Sequence, residues 1–417
     1  TTKVAPTRLA RNPEREKGMK FTVKFSPIGK RVIENKPRLL LDIAREAGIG
    51  LKSLCGGKGK CGKCKVMVKP TNGVTEMERE LLAQDEIGEG YRLACCTTIK
   101  EDTEVYVPAS SINEEQKLQI AGKGIEVKPF PGVGKFFLKL AQPTLSDVRP
   151  DFQRIKEELN EKYDVKVKSI SLGVLNVMGP ALRESDWSIT IIVRGSEIIG
   201  VQPGNTTQAS LGIAIDLGTT KIAFYLVDLL TGESINIYGI MNPQIAYGED
   251  ILSRIHYAGN NRANLKKLRS EVLKAINCAI KKICRESKVK SGDILEATLV
   301  GNTAMHHIFL GLPVKQLGLA PFTMATDEPL EIKAREFGLE IYPGGYIYLP
   351  SPIAGFIGSD HLVMLIASEI ERKEGNLIAI DIGTNTEIAL KTRERIISCS
   401  CASGPAFEGE HIKYGMR

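Results

Sequence analysis

Three cysteines and four glycines share the eleven residues from Leu54 to Cys64, and no other feature constrains this chain as tightly. The spacing is Cys55-x5-Cys61-x2-Cys64, with glycines at 56, 57, 59 and 62 and a fourth thiol at Cys95 or its neighbour Cys96. A run this rich in glycine cannot be helix or strand. Its backbone is free to turn amides inward toward the sulfurs. Four thiolates are what a [2Fe-2S] cluster takes, two for each iron. A four-cysteine zinc site would use the same residue types, although zinc ribbons place two C-x2-C knuckles symmetrically and only one occurs here. Five of the nine cysteines fall between 55 and 96, a clustering that argues for ligation over disulfides. Two other patterns overlap the loop: Gly57-x-Gly59-x2-Gly62 fits a dinucleotide fingerprint, and Gly57-x4-Gly62-Lys63 falls one hydroxyl short of a P-loop. Neither follows a buried strand that leads into a long helix, and the cysteines account for the glycines.

The flanking sequence supplies a framework for that loop. Residues 20–25 and 31–34 alternate as two strands around the Pro27-Ile28-Gly29 turn, and Leu40, Ile43, Ala44 and Ala47 repeat at helical spacing before Gly48. A strand over 65–68, a capping box at Thr75 and Glu78, the return through Tyr91 to Cys95, and a strand over 104–107 complete an α+β module of residues 19–107. Its loop resembles that of plant-type ferredoxins, lengthened by one residue, and the resemblance favours Cys95 over Cys96 as fourth ligand. It also implies a β-grasp ferredoxin-like fold.

Residues 1–18 are rich in basic side chains and read as a flexible tail, either solvated or an arm that binds a partner or nucleic acid. Thr1 to Lys20 holds six basic against two acidic side chains, in a chain with a net charge of +7. Residues 108–130 are polar and read as a linker. Residues 131–205 then alternate strand, helix (146–162), strand (165–170), helix and hairpin, a small α/β domain without evident chemistry. No apolar run approaches membrane length and no apolar leader precedes the first strand, so we read the chain as cytoplasmic, with no membrane or nucleic-acid partner.

The last region, 206–417, holds an internal repeat. Ile213-Ala-Ile-Asp216-Leu-Gly218-Thr219-Thr220 recurs 165 residues later as Ile378-Ala-Ile-Asp381-Ile-Gly383-Thr384-Asn385. An Asp at the end of an apolar strand, followed by Gly-Thr, makes a turn whose amides and hydroxyls can meet phosphate oxygens while the carboxylate holds hydrated Mg²⁺. Two such turns facing each other would clamp a nucleotide.

These strands resemble the phosphate motifs of the superfamily of acetate and sugar kinases, heat-shock chaperone ATPases and actin, a ribonuclease H-like ATPase fold. The resemblance assigns Asp216, Gly218, Thr219 and Thr220 to Mg-ATP phosphates, and Asp381, Gly383, Thr384 and Asn385 to the second phosphate turn. There Asp381 organises the attacking water or hydroxyl. The stretch Ala354 to Asp360 is similar to the first connecting motif, whereas the adenosine motif and second connecting helix are absent before Arg417, so the domain reads as incomplete.

Taken together, the chain is expected to be a multidomain α/β and α+β protein. Its order of modules resembles the family of reductive activators of corrinoid proteins, including activators of the corrinoid/iron-sulfur protein. Asn242-Pro-Gln244, Gly301-Asn-Thr303-Ala-Met-His306-His307 and Ser403-Gly-Pro-Ala-Phe-Glu-Gly409 belong to that resemblance. It implies an ATP-dependent reductive activase with ATPase activity that passes one electron from a [2Fe-2S] cluster at Cys55, Cys61, Cys64 and Cys95 to a Co(II) corrinoid protein. A low-potential reductase or ferredoxin would supply the electron, and a homodimer is compatible with the sequence. The alternatives are a small-molecule kinase carrying a ferredoxin module, and an electron carrier with an inert nucleotide core. His306 and His307 are expected to be structural, and Cys399 and Cys401 to be buried apolar residues.

Overall fold

The computed structural model describes residues 20–28, 30–47, 49–53, 55–70, 73–108, 111, 128–383 and 385–403. The basic tail, most of the linker, Gly29, Gly48, Leu54, Thr384 and the stretch from Gly404 to Gly409 lie outside the described residues. The chain divides into two compact units, Thr1–Glu115 with Ala246–Gly248, and Gln116–Ile245 with Glu249–Arg417. Among the described residues no helix is long and apolar enough to cross a membrane.

In the first unit β1 (Phe21–Ser26) pairs antiparallel with β2 (Lys30–Glu34) and parallel with β7 (Thr103–Tyr106). Strand β4 (Lys65–Lys69) joins β7 and β5 (Tyr91–Leu93), giving the sheet order β2-β1-β7-β4-β5. The alternation read along β1 is real: Phe21, Val23 and Phe25 point into a core that α1 (Leu40–Glu46) closes with Leu40, Leu41, Ile43 and Ala44. A two-residue pair, β3 (Arg38–Leu39) with β6 (Thr98–Ile99), edges this core. Helix α2 (Glu76–Leu81) starts on the expected capping box, with the Glu78 N–H donating to Thr75 Oγ1 and the Thr75 N–H donating to Glu78 Oε2. The buried carboxylate does more than cap. Its Oε1 accepts the Leu93 N–H at 2.8 Å, which ties α2 to the strand leading into Cys95. A short helix, α3 (Gln84–Gly88), which the sequence did not suggest, connects α2 to β5.

The second unit begins with a four-stranded sheet in the order β8-β10-β11-β9, from β8 (Val133–Lys139), β9 (Ser169–Ile170), β10 (Ser188–Arg194) and β11 (Glu197–Pro203). Helices α4 (Asp151–Tyr163) and α5 (Leu172–Glu184) pack on it through Ile155, Leu159, Met178 and Leu182. Two sequence boundaries are corrected. The first helix starts at Asp151 instead of Ser146, because Pro150 bars helical backbone at Arg149 and the segment before it closes a Thr144–Asp147 bridge. The strand expected over 165–170 keeps only its last two residues, those that pair parallel with β11.

A six-stranded mixed sheet follows, ordered β14-β13-β12-β15-β17-β16. It is built from β12 (Leu211–Leu217), β13 (Lys221–Asp228), β14 (Ser234–Met241), β15 (Ile294–Gly301), β16 (Leu330–Lys333) and β17 (Tyr346–Leu349). Strand β15 lies parallel to both β12 and β17, and the other neighbours are antiparallel. Helices α6 (Ile251–Asn260) and α7 (Arg262–Glu286) intervene before β15. The α7 stripe read from the sequence, Leu268, Val272, Ile276 and Ile283, is buried throughout. Helices α8 (Thr303–Leu310), α9 (Ala334–Phe337) and α10 (Ser359–Ala367) complete this part. A separate antiparallel meander, β18 (Leu377–Asp381), β19 (Asn385–Lys391) and β20 (Ile396–Ala402), carries the second repeat.

The small sheet is fastened to the large one. Arg194 reaches from β10 to Glu296 and Glu331, each at 2.9 Å, with its guanidinium over the Tyr346 ring. Glu197 accepts from Lys333 (3.0 Å) and from the Tyr346 hydroxyl (2.8 Å). Beneath these bonds Val133, Ile192, Ile199 and Leu295 form a shared apolar patch. Gly344 lies against the Ile199 carbonyl so closely that a side chain there would overlap it.

Candidate functional site

The cysteine loop forms as its glycines require: Gly56, Gly57, Gly59 and Gly62 all have positive φ, between 66° and 92°. That conformation aims amides at sulfur. The N–H groups of Lys60, Cys61 and Gly57 donate to the Cys55 thiolate, and that of Lys63 donates to Cys61. The structure brings the four expected ligands together as two pairs. Cys55 and Cys61 are hydrogen-bonded through their sulfurs, which lowers the Cys55 thiol and raises that of Cys61. Cys64 Sγ stands 3.4 Å from Cys95 Sγ, and this contact lowers Cys64 and raises Cys95. Both members of the second pair are buried, at 1% and 8% exposure. Cys96 stands beside them, its sulfur 3.7 Å from Cys95 and its thiol pushed up by burial. All are free thiols, and among the described residues no three His, Cys, Asp or Glu side chains form a ready cage for a single metal ion. Two thiol pairs ringed by amide donors are a donor set suited to a two-iron cluster, whose reduced form the amides stabilise.

In the second unit the carboxyl ends of β12 and β15 lie side by side, since Asp216 pairs with Val300 and Leu217 with Gly301. Crevices outside such strand ends are where open α/β sheets bind ligands. The turn Asp216 to Thr220 emerges there. Gly218 is needed for its tightness, because a Cβ would stand 2.6 Å from the Lys221 carbonyl. Asp216 is open to water, yet enough protein crowds its carboxyl to push it up to about 6, by burial first and then by the nearby Asp381. Asp381, which contributes to that rise, is the last residue of β18, and Gly383 and Asn385 follow it.

Two further carboxylates interact with these: Asp360, which the sequence reading placed at the end of the first connecting motif, and Glu387, to which it gave no role. Asp360, in the first turn of α10, is pushed up to about 7 by burial and by Asp216, Glu387 and Asp381. Glu387, opposite Asp381 on β19, is raised by burial and by Asp381 despite accepting the Ser400 hydroxyl at 2.9 Å. Helix α10 gains its position from Gly358, which packs directly on the Gly301 carbonyl and Asn302, and from Ser359 Oγ at 3.2 Å from the Gly301 N–H. Repulsion from neighbouring carboxylates thus adds to burial in raising Asp216, Asp360 and Glu387.

The histidine pair is buried in α8. His307 binds the Thr303 carbonyl through Nδ1 and accepts the Ala325 N–H at Nε2, a structural role, and burial lowers His306 to about 4. Cys399 and Cys401 correct the expectation of burial. They occupy one face of β20, at the edge of the three-stranded meander, and are exposed.

Comparison with known proteins bears on both halves. Family models match in succession: a 2Fe-2S iron-sulfur cluster binding domain over residues 25–100, the RACo linker region over 123–208, the RACo middle region over 211–373, and the C-terminal ASKHA domain of RACo over 375–417. The corrinoid activation enzyme RamQ of Eubacterium limosum is 28% identical over 396 residues, covering 95% of this chain and 63% of that protein. The [Co(II) methylated amine-specific corrinoid protein] reductase of Methanosarcina barkeri is 28% identical over 211 residues, 49% of this chain and 38% of the reductase. Among solved structures, a reductive activator for corrinoid, iron-sulfur protein superposes with a TM-score of 0.65 at 32% identity, over 95% of this chain and 65% of that one. The chain thus spans just under two thirds of the length of the relatives it matches along nearly its whole extent. With the iron-sulfur domain and the three RACo regions following one another in order, the chain belongs to the RACo family.

Proposed function

We propose that this chain is the electron-delivering and nucleotide-binding part of an ATP-dependent reductive activator, which returns an inactive Co(II) corrinoid protein to Co(I) by transferring one electron. The observation that carries the reading is the presence in one polypeptide of an amide-ringed set of paired thiols and a duplicated Asp-Gly-Thr turn. The names of the relatives, an activation enzyme and a reductase of corrinoid proteins, support it. On this reading Cys55 and Cys61 hold one iron and Cys64 and Cys95 the other, with the inward amides favouring the reduced state. The cluster, when bound, supplies a one-electron couple near −400 mV for the plant type.

Co(II)/Co(I) is itself a low-potential couple, so the transfer runs uphill unless ATP shifts the acceptor into a more easily reduced state. Asp216 would hold hydrated Mg²⁺, Gly218, Thr219 and Thr220 would receive phosphate oxygens, and Asp381 with Gly383, Thr384 and Asn385 would form the opposing turn. A clamp between two turns is the bistable element such coupling needs. A low-potential reductase or ferredoxin would reload the cluster.

The test is anaerobic. Reconstituted, pre-reduced protein is mixed with a Co(II) corrinoid protein, and Co(I) absorbance is followed with and without Mg-ATP. Co(I) that forms with Mg-ATP and not without it is the expected result. Equal Co(I) in both arms would leave an electron carrier with an inert nucleotide core. Stoichiometric phosphorylation of a metabolite, indifferent to the corrinoid protein, would replace the proposal with a kinase.

A further inference from the structure

Two asparagines from separate stretches of sequence bracket the first phosphate turn. Asn302, between β15 and α8, donates from Nδ2 to Thr219 Oγ1 at 3.0 Å, while its Oδ1 accepts the Met305 N–H at 3.0 Å as the N-cap of α8. Asn242, after β14, donates from Nδ2 to the Gly218 carbonyl at 2.8 Å, its Oδ1 accepts the Gln244 N–H, and its own N–H donates to the Thr220 carbonyl. Asn242, Asn302 and Thr219 are all buried. Met305 Sδ lies 3.8 Å from Asn242 Nδ2, so the two brackets meet behind the turn.

We infer that Asn302 is a positioning residue for nucleotide binding, acting through the Thr219 hydroxyl, with Asn242 fixing the backbone of the same turn. This rests on the reading of Asp216 to Thr220 as the phosphate turn. A threonine hydroxyl has one proton to donate and two lone-pair positions. An N–H from Asn302 fills one of those positions and sends the proton elsewhere, so the hydroxyl is set as a donor toward an incoming phosphate oxygen. Left alone, a threonine in a turn donates to its own backbone instead. Asn302 can impose this polarity because it is itself immobilised at both ends: its backbone leaves β15, and its carbonyl oxygen is committed to α8. A hydroxyl preset in this way spends no reorganisation when the phosphate arrives.

The test separates the link to Thr219 from the cap. Asn302→Ser keeps a good N-cap but is too short to reach Thr219. Mg-ATP affinity is measured by titration calorimetry alongside the thermal midpoint of the unliganded protein. The expected result is a midpoint close to that of the unaltered chain and an affinity weaker by about five- to tenfold, the size of one lost hydrogen bond. Thr219→Val should weaken binding as well, and the double variant should be no weaker than Thr219→Val alone, since Asn302 then has nothing to act on. If Asn302→Ser does not fold, Asn302→Asp retains the cap and carries the same comparison with Thr219→Val. Affinity unchanged in Asn302→Ser, or losses that add fully in the double variant, would overturn the inference. An unaltered chain that takes up no Mg-ATP would instead overturn the nucleotide reading on which it rests.

Discussion

Replacing Asp360 by Asn should make the unliganded protein more stable, and only above mildly acidic pH. Asp360 is raised from 3.8 to about 7, by burial and by the carboxylates of Asp216, Glu387 and Asp381. A folded-state value above the unfolded one means that the folded chain binds the extra proton, so stability falls as pH rises between the two values. Below about pH 4 both states are protonated and the group contributes nothing. Above about pH 7 both are ionised and the penalty is complete. A carboxyl held that far above its ordinary value costs the folded state about 4 kcal/mol, and screening by water at its partly open edge reduces this to about 2 kcal/mol. Asn is the same shape, carries no charge, and can still accept the His361 N–H that Asp360 Oδ1 now accepts at 2.9 Å. Urea unfolding of both proteins at about pH 4.5 and pH 8 should show similar midpoints at the lower pH and a gain of about 2 kcal/mol for the variant at the higher. A variant that is less stable at pH 8, or equally stabilised at both pH values, would refute the account of Asp360 as a buried carboxylate repelled by its neighbours.

Gly218→Ala places a methyl group 2.6 Å from the Lys221 carbonyl, and should open the Asp216–Thr220 turn, lowering the thermal midpoint by an amount equivalent to about 1–3 kcal/mol and, on the proposed function, weakening Mg-ATP binding in calorimetry. Gly344→Ala drives a side chain into the Ile199 carbonyl beneath the Arg194 and Glu197 bonds. Differential scanning calorimetry should then resolve a separate early transition for the small sheet, whereas in the unaltered protein the two sheets should melt together. Cys64→Ser and Cys95→Ser should each abolish the visible absorbance of a reconstituted two-iron cluster, while Cys96→Ser keeps it; loss in the Cys96 variant alone would transfer the fourth ligand to that residue.

The parts of this protein that could be read before its structure are those set by short-range rules. The glycines between Cys55 and Cys64 announced a loop whose amides turn inward, and each of the four has the left-handed conformation that allows it. Thr75 and Glu78 announced a helix start, and period-3.6 spacing announced the buried stripe of α7. The boundaries of α4 failed because a single proline outweighed a favourable run, and the exposure of Cys399 and Cys401 was missed because whether a strand face is covered depends on what packs there, which alternation cannot say.

What the sequence determined by itself was the chemistry on offer: four thiols with a fifth beside them, and two Asp-Gly-Thr turns that share one pattern. Only the tertiary structure decided which groups act together. Parallel pairing of β12 with β15 sets Asn302 beside Thr219, eighty-three residues away in sequence, and the start of α10 brings Asp360 within the electrostatic reach of Asp216. Glu78, read as a cap, proved also to anchor the strand that leads into Cys95. The physical reason is range. Backbone dihedrals and hydrophobic period are fixed by neighbours a few residues apart, whereas the pairing of sulfurs, the bracketing of a turn and the repulsion among carboxylates arise from strand register and helix packing, which no local pattern encodes.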